Sequence, residues 1–332
     1  MKYINFINIL LAIIILLVLC VFSSLLFGSK NIDLLTVLNT LKNIHNDSFD
    51  AIVVKERIPR TIFSLLAGAS LGISGTLMQS ITRNPIADPS ILGINMGASL
   101  FVVLGIAFLG ITTYKEYIVL ALIGGLITAI AVYFIASIGN GGISLMKLAL
   151  SGVIISSILS SLINMVMLPR SDVMSSFRFW QVGSVSGVNW QSILSMLPFI
   201  IIGIILSIAV APSLNALALG DEVAIGLGVK VGLTRIISTI SAILLCSTVT
   251  ALAGPIGFIG LMAPHIIRML FGNNIKFIIP ISAFIGGIIL TFSDVIGRLI
   301  GSPSELEVGI VTSFIGAPIF IIISMKAKVR SL

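Results

Sequence analysis

Few residues of this chain could do chemistry, and most of those are arginines. Arg57 and Arg60 lie on either side of Pro59 in "KERIPRTIFSLLAGASLGISG", where a cluster of charge runs into an apolar helix rich in Gly, Ala and Ser. Their chemistry is ion pairing, whether with lipid headgroups, within the chain or with another protein. Asp294 and Arg298 stand four residues apart, within reach of each other on one helix face. Other chemistries lack their residues. No GxxxxGK[ST] is present, so the chain holds no phosphate-binding loop for ATP. "GLGVKVG" has the spacing G-x-G-x-x-x-G with no strand before it, which excludes a dinucleotide site. His45 and His265 have no partners at metal-ligand spacing, and Cys20 and Cys246 both lie in apolar runs. A single acid, Asp294, is no proton relay of the kind that drives gradient-coupled carriers.

These residues must be held by a membrane-embedded scaffold. Of 332 residues, 57% are hydrophobic and 9% charged, against about 25% charged in soluble domains. The net charge of +7 is assigned to the flanks of membrane segments rather than to a nucleic-acid surface. Hydropathy and breaker residues predict an all-α integral membrane protein with ten spans. They lie near 7–27, 58–81, 92–111, 117–137, 148–167, 193–210, 236–253, 257–271, 277–297 and 308–325. The first is read as a retained span rather than a signal peptide, and Leu19 before Cys20 argues against a lipoprotein site. The whole of 1–332 is read as one polytopic domain. Ten spans put both termini on one side, and the basic tail with Lys326, Lys328 and Arg330 favours the cytoplasm. That topology leaves ten basic residues inside and nine outside, so the positive-inside rule barely orients the chain, and the outer arginines need another reason to be there.

Small residues recur in the spans, at Gly68, Gly72 and Gly75, at Gly124 and Gly125, and at Gly286 and Gly287. They predict close helix packing in a compact bundle. "AGPIGFIGLMAPH", with Pro255 and Gly257, predicts a broken helix lining a pathway. The connection over about 212–235 is too polar to span and too apolar for a plain linker. Leu219, Val223 and Leu227 fall on one helical stripe, Asp221 suits a helix start and Gly228 a stop. Such a helix rests on the membrane surface or docks in a groove of a partner.

Five ordered blocks resemble one family. "RIPRTIFSLLAGASLGISGTLMQSITRNPIADPSILGINMGASL" looks like the signature region of the FecCD-type permeases, the membrane subunits of ABC importers for iron–siderophore complexes, haem and cobalamin. "FWQVGSVSGVNW", "ALGDEVAIGLGVKVGLTR", "GPIGFIGLMAPHIIR" and "SELEVGIVTSFIGAPIFI" follow in the family's order, and the resemblance covers roughly 51–325. It implies a type II importer fold with ten helices per subunit and two permease subunits, identical or related, with the pathway between them. It also implies two ATPase subunits on the cytoplasmic face and an extracytoplasmic substrate-binding protein on the other. The chain itself would then be no enzyme and bind no cofactor, ATP and Mg being used by the ATPase partner. The family's outer arginines match Arg57, Arg60 and Arg298, expected to pair with acidic residues of the binding protein. The ATPase contact matches Gly220, Asp221 and Glu222, closed by Gly228. The inner gate matches Ser144, Leu145, Met146 and Lys147, although Leu145 and Met146 stand where small polar residues are common in the family. The cargo implied is an iron(III)–siderophore complex crossing the cytoplasmic membrane, with haem or cobalamin as the alternative within the family and an ion-driven secondary carrier as the alternative outside it.

Overall fold

The computed structural model describes residues 2–42, 48–138, 145–170 and 180–326. Helices dominate, and no strand occurs among the described residues. In chain order they are α1 (Lys2–Leu26), α2 (Leu34–Leu41), α3 (Phe49–Thr82), α4 (Ile94–Leu104, prolonged by a π-turn over Gly105–Leu109), α5 (Tyr114–Ser137), α6 (Leu145–Met167), α7 (Trp190–Leu217), α8 (Asp221–Gly226), α9 (Val231–Ala253), α10 (Ile259–Phe271), α11 (Ile275–Ile300) and α12 (Val308–Lys326). Among the described residues seven helices are long and apolar enough to cross a membrane, and three shorter apolar ones cover 94–109, 259–271 and 308–322. Each of these ten coincides with one expected span, so the chain is a multi-pass membrane protein.

Two spans are longer than hydropathy suggests. α3 begins at Phe49, nine residues before the expected 58, and is 34 residues long, about 51 Å at 1.5 Å per residue. Ser48 caps it by accepting from Ala51 N. Pro59 therefore lies inside the helix rather than at its mouth. Its missing N–H deletes one backbone bond, and the charged first turns hid the helix from a hydropathy window. α7 runs on past Pro212 to Leu217, so the projecting connection is shorter than 212–235.

The helices pack by backbone approach. A Cβ on Gly68 would overlap the carbonyl of Gly286, one on Gly72 that of Ser282, and one on Gly75 that of Gly260. Spaced at i, i+4 and i+7, the three glycines form one seam of α3 on which α11 and α10 rest. Lipid offers no hydrophobic drive for this contact, so dispersion over close backbones supplies it. Gly97 of α4 and Gly124 of α5 repeat the device.

Contacts between helix termini define two ends. At one end meet the C-terminus of α1, the early turns of α3, the C-terminus of α11 and the 301–307 connection. At the other, Asn215 of α7 bonds Asn274 and Ile275 N at the start of α11, and Arg83 after α3 reaches Asp221.

Gly75→Ala is expected to destabilise the purified protein by about 1–3 kcal/mol through overpacking, read as a lower midpoint in a detergent thermal melt. Gly232→Ala, on exposed helix with open space around it, should be neutral or stabilise by up to about 1 kcal/mol. Equal midpoints for the two variants would contradict the seam.

Candidate functional site

At the first end the three sequence-predicted arginines come together. Arg57 is 6% exposed, Arg298 2% and Asp294 1%. Arg57 Nη1 donates to the carbonyls of Leu25 (2.9 Å) and Leu26 (3.2 Å), and Nη2 to Lys30 O (2.6 Å). It thereby caps the last carbonyls of α1, where a cation also suits the helix dipole. Arg298 donates from Nη1 to Ser24 O (3.1 Å) and from Nη2 to Ser24 Oγ (2.9 Å), and its Nε lies 3.1 Å from Asp294 Oδ2. Arg60 grips the same carboxylate through Nε (3.2 Å to each oxygen) and Nη2 (2.6 Å), and its Nη1 reaches Glu305 Oε2 at 2.7 Å.

The three arginines expected to meet another protein are not free at the surface of this chain. Each is engaged inside the chain, because a guanidinium taken out of water needs its counter-charge and acceptors within the protein. Asp294 pairs with Arg298 as its spacing predicts, and also with Arg60. Glu305 was missed: it stands 245 residues from Arg60, a separation at which spacing carries no signal.

At the opposite end α8 projects as a six-residue helix. Gly220 (φ +118°) and Gly228 (φ +81°) make the reversals that flank it. Leu219, Val223 and Leu227 are all exposed, together with Ile225, while Ala224 on the other side is buried. All three face outward, but they do not form one helical stripe: only Val223 lies within α8, while Leu219 precedes Gly220 and Leu227 is the C-cap. Asp221 does start the helix, and Arg83 and Arg235 both pair with it, Arg235 at 3.0 Å. That pairing ties α8 to the end of α3 and the start of α9. Arg83 holds a left-handed backbone (φ 50°), which turns the chain sharply after α3.

Of the expected gate, Ser144 lies outside the described residues. Leu145 begins α6. Met146 is exposed, and Lys147 Nζ donates to Ile138 O at the end of α5 (3.3 Å). Pro255 and Gly257 do occupy a break between α9 and α10. Freed carbonyls at the end of α9 find protein partners: Ser184 N donates to Ala253 O (2.7 Å) and Trp180 Nε1 to Ala251 O (3.3 Å). Pro255 and Gly257 line a cavity of about 710 Å³ with Asn95, Met96, Val153, Ser156, Ser157 and Ser160. Asn95 escaped the sequence reading, because one amide in an apolar run has no spacing signature.

Asp294→Asn is expected to destabilise the bundle by about 3–5 kcal/mol, since it leaves two buried guanidiniums short of a counter-charge. Glu305→Gln, at an exposed rim, should cost no more than about 1 kcal/mol. Thermal melts of the two variants in detergent test the ranking, and the reverse order would refute the internal role given to Asp294.

The chain is similar over nearly its whole length to known proteins. The Ferric enterobactin transport system permease protein FepD of Escherichia coli (strain K12) is 38% identical over 318 residues, 96% of this chain and 95% of that protein. The Fe(3+)-citrate import system permease protein YfmD of Bacillus subtilis (strain 168) is 38% identical over 301 residues, 91% of this chain and 89% of that protein. Among solved structures, a metal-chelate type ABC transporter in an inward-facing conformation superposes with a TM-score of 0.80 at 27% identity, covering 96% of this chain and 99% of that one. The model of the FecCD transport family matches residues 16–326. The chain belongs to the FecCD transport family.

Proposed function

We propose that this chain is the membrane-spanning permease subunit of an ABC importer that carries an iron(III)–siderophore complex across the cytoplasmic membrane. The observation that carries this reading is the near full-length likeness to permeases named for ferric enterobactin and ferric citrate. The bundle of spans, the projecting helix at one end and the cavity at a broken helix support the reading.

In this reading two permease subunits, identical or related, form the transporter, and both termini are cytoplasmic. Two ATPase subunits receive α8 together with the exposed Leu219, Val223 and Leu227 in and around it, and bind the ATP and Mg. Nucleotide-driven movement of α8 passes through Asp221 to Arg83 and Arg235, and so to α3 and α9. The extracytoplasmic binding protein docks at the opposite end. There Arg57, Arg60 and Arg298 serve by holding the α1 terminus and the Glu305 connection in place, so that the docking face is preformed. The inner gate is assigned to the start of α6 at Ser144–Lys147, and the pathway to the cavity at Pro255 and Gly257.

Reconstitution tests this. The chain alone in liposomes is expected neither to hydrolyse ATP nor to accumulate a ferric chelate, and to do so only with its ATPase and binding protein. Glu222→Cys should crosslink to the ATPase in a nucleotide-sensitive way. Accumulation driven by a proton or sodium gradient without any ATPase would overturn the proposal in favour of a secondary carrier.

A further inference from the structure

Away from the broken helix, α5 and α9 enclose a second space. The two helices meet closely at Gly125, where a Cβ would overlap Ser247 Oγ and touch Ile243. From that contact toward the α8 end a groove of about 540 Å³ runs between them. Residues from Leu126 to Phe134 wall one side and residues from Arg235 to Ile243 the other. Eight residues of helix make a wall about 12 Å long. Ala129 (2% exposed) and Ile243 (4%) form the floor, while Ile130, Phe134, Ile236 and Ile240 stand exposed along the rims. The floor and rims offer dispersion contacts to a hydrocarbon chain laid along them.

The α8 end of this groove is basic. Arg235 lines it and stands one residue before the span that hydropathy places at 236–253, which is headgroup level. Its Nη2 donates to both oxygens of Asp221, at 3.2 and 3.0 Å. Its Nε and Nη1 have no acceptor among the described residues. Asp221 is itself shared with Arg83, and Lys230 directly precedes α9. Three cations, Arg83, Lys230 and Arg235, thus outnumber two acids, Asp221 and Glu222, at this end.

Tyr133 adds a second polar group. It lines the same groove four residues before the end of α5, and its hydroxyl has no partner among the described residues. A tyrosine at this depth has an apolar ring for the chains and a hydroxyl for the headgroups. A guanidinium with two unused donors is shaped for bidentate contact with a phosphate. Basic residues at the mouth of a pocket between spans recognise anionic lipid headgroups in this way.

We infer that this groove binds an anionic phospholipid from the leaflet on the α8 side. One acyl chain lies over Ala129 and Ile243, and the phosphodiester accepts from Nε and Nη1 of Arg235 and from the Tyr133 hydroxyl. The inference needs only a chain that spans the membrane and does not rest on the importer reading. It makes Arg235 common to the lipid and to Asp221, so a bound lipid acts on the contact that holds the start of α8.

The test uses the full chain, purified in detergent with its partner subunits, and a phosphatidylglycerol carrying a photoactivatable diazirine in its acyl chain. Labelled peptides should fall within 126–134 and 235–243, the two walls of the groove. Unlabelled phosphatidylglycerol should compete about tenfold better than phosphatidylcholine, the worth of one hydrogen bond between charged groups, and inorganic phosphate should not compete. Arg235→Gln should bring the two lipids to equal potency, while a phosphatidylcholine probe still labels the groove and so reports that it is folded. Thr239→Trp should abolish labelling of both walls by filling the groove. Asp221→Asn releases Arg235 and should keep or widen the preference, which separates lipid binding from the pairing of Arg235 with Asp221. Labelling confined to other segments, equal competition by the two lipids in the wild type, or a preference that survives Arg235→Gln would each overturn the site. So would labelling that survives Thr239→Trp, or competition by inorganic phosphate, which would leave an anion site without a lipid. If Arg235→Gln does not fold, a preference lost in Asp221→Asn overturns the assignment by itself.

Discussion

The carboxylate of Asp294 is the point on which one end of this molecule depends. It meets Arg60 of α3 on one side and Arg298 of its own helix on the other. The Nη donors of Arg298, with those of Arg57, reach Ser24, Leu25, Leu26 and Lys30 of α1 and its exit. Glu305 closes the set from the next connection. Three cations against two acids would be untenable in hydrocarbon if any stood alone. Together, and with oxygens of α1 and its exit taking further donors, they join four chain segments that apolar contacts alone would leave free to slide. Such a cluster is weak evidence for net stability, since desolvation consumes much of its Coulomb gain. Its contribution is register: guanidinium forks fix both angle and distance.

Away from the charges the same solvent imposes a second constraint. Where apolar area is buried from water, each Å² contributes about 25 cal/mol, but between helices already in lipid that term is lost. What remains is fit. The α3 seam of Gly68, Gly72 and Gly75 lets the backbones of α11 and α10 approach until a methyl group would overlap them. Hydroxyls such as Thr76 and Ser282, 2.9 Å apart, bond across the same seam. Exposed Leu, Ile and Phe on α1, α6, α7 and α12 are the outward face expected of a chain that lipid or other subunits cover.

Hydropathy reads what the bilayer sees, and that governs what was legible. All ten spans appear, the break at Pro255 and Gly257 appears, and Asp221 does begin a projecting helix. The start of α3 at Phe49 was hidden, because Asp50, Lys55, Glu56 and Arg57 look like loop residues to a window that scores transfer into lipid. Local spacing found Asp294 with Arg298, four residues apart. It could not find Arg60 with Glu305, or Asp221 with Arg83 138 residues away, since those pairs are made by the fold. Asn95 was illegible for the same reason: its partners Cys246 and Thr250 stand 151 and 155 residues away.

The length of α3 connects these observations. One helix carries Arg60, held by Asp294 and Glu305, and is followed at its far end by Arg83, held by Asp221 of α8. Between them runs the glycine seam on which α10 and α11 rest. α10 begins where the polar cavity lies, with Gly260 against Gly75. A displacement of α8 therefore acts on the base of α3. Close-packed backbones do not deform continuously, so α3 must carry α10 with it or slip along the seam. Either response alters the break at 254–258, and with it the wall that Pro255 and Gly257 give the cavity. The exposed ion pairs around Asp221 need supply little energy for this, about 0–1 kcal/mol each. In the importer proposed above, a contact made and released in every cycle works best when neither state is deep.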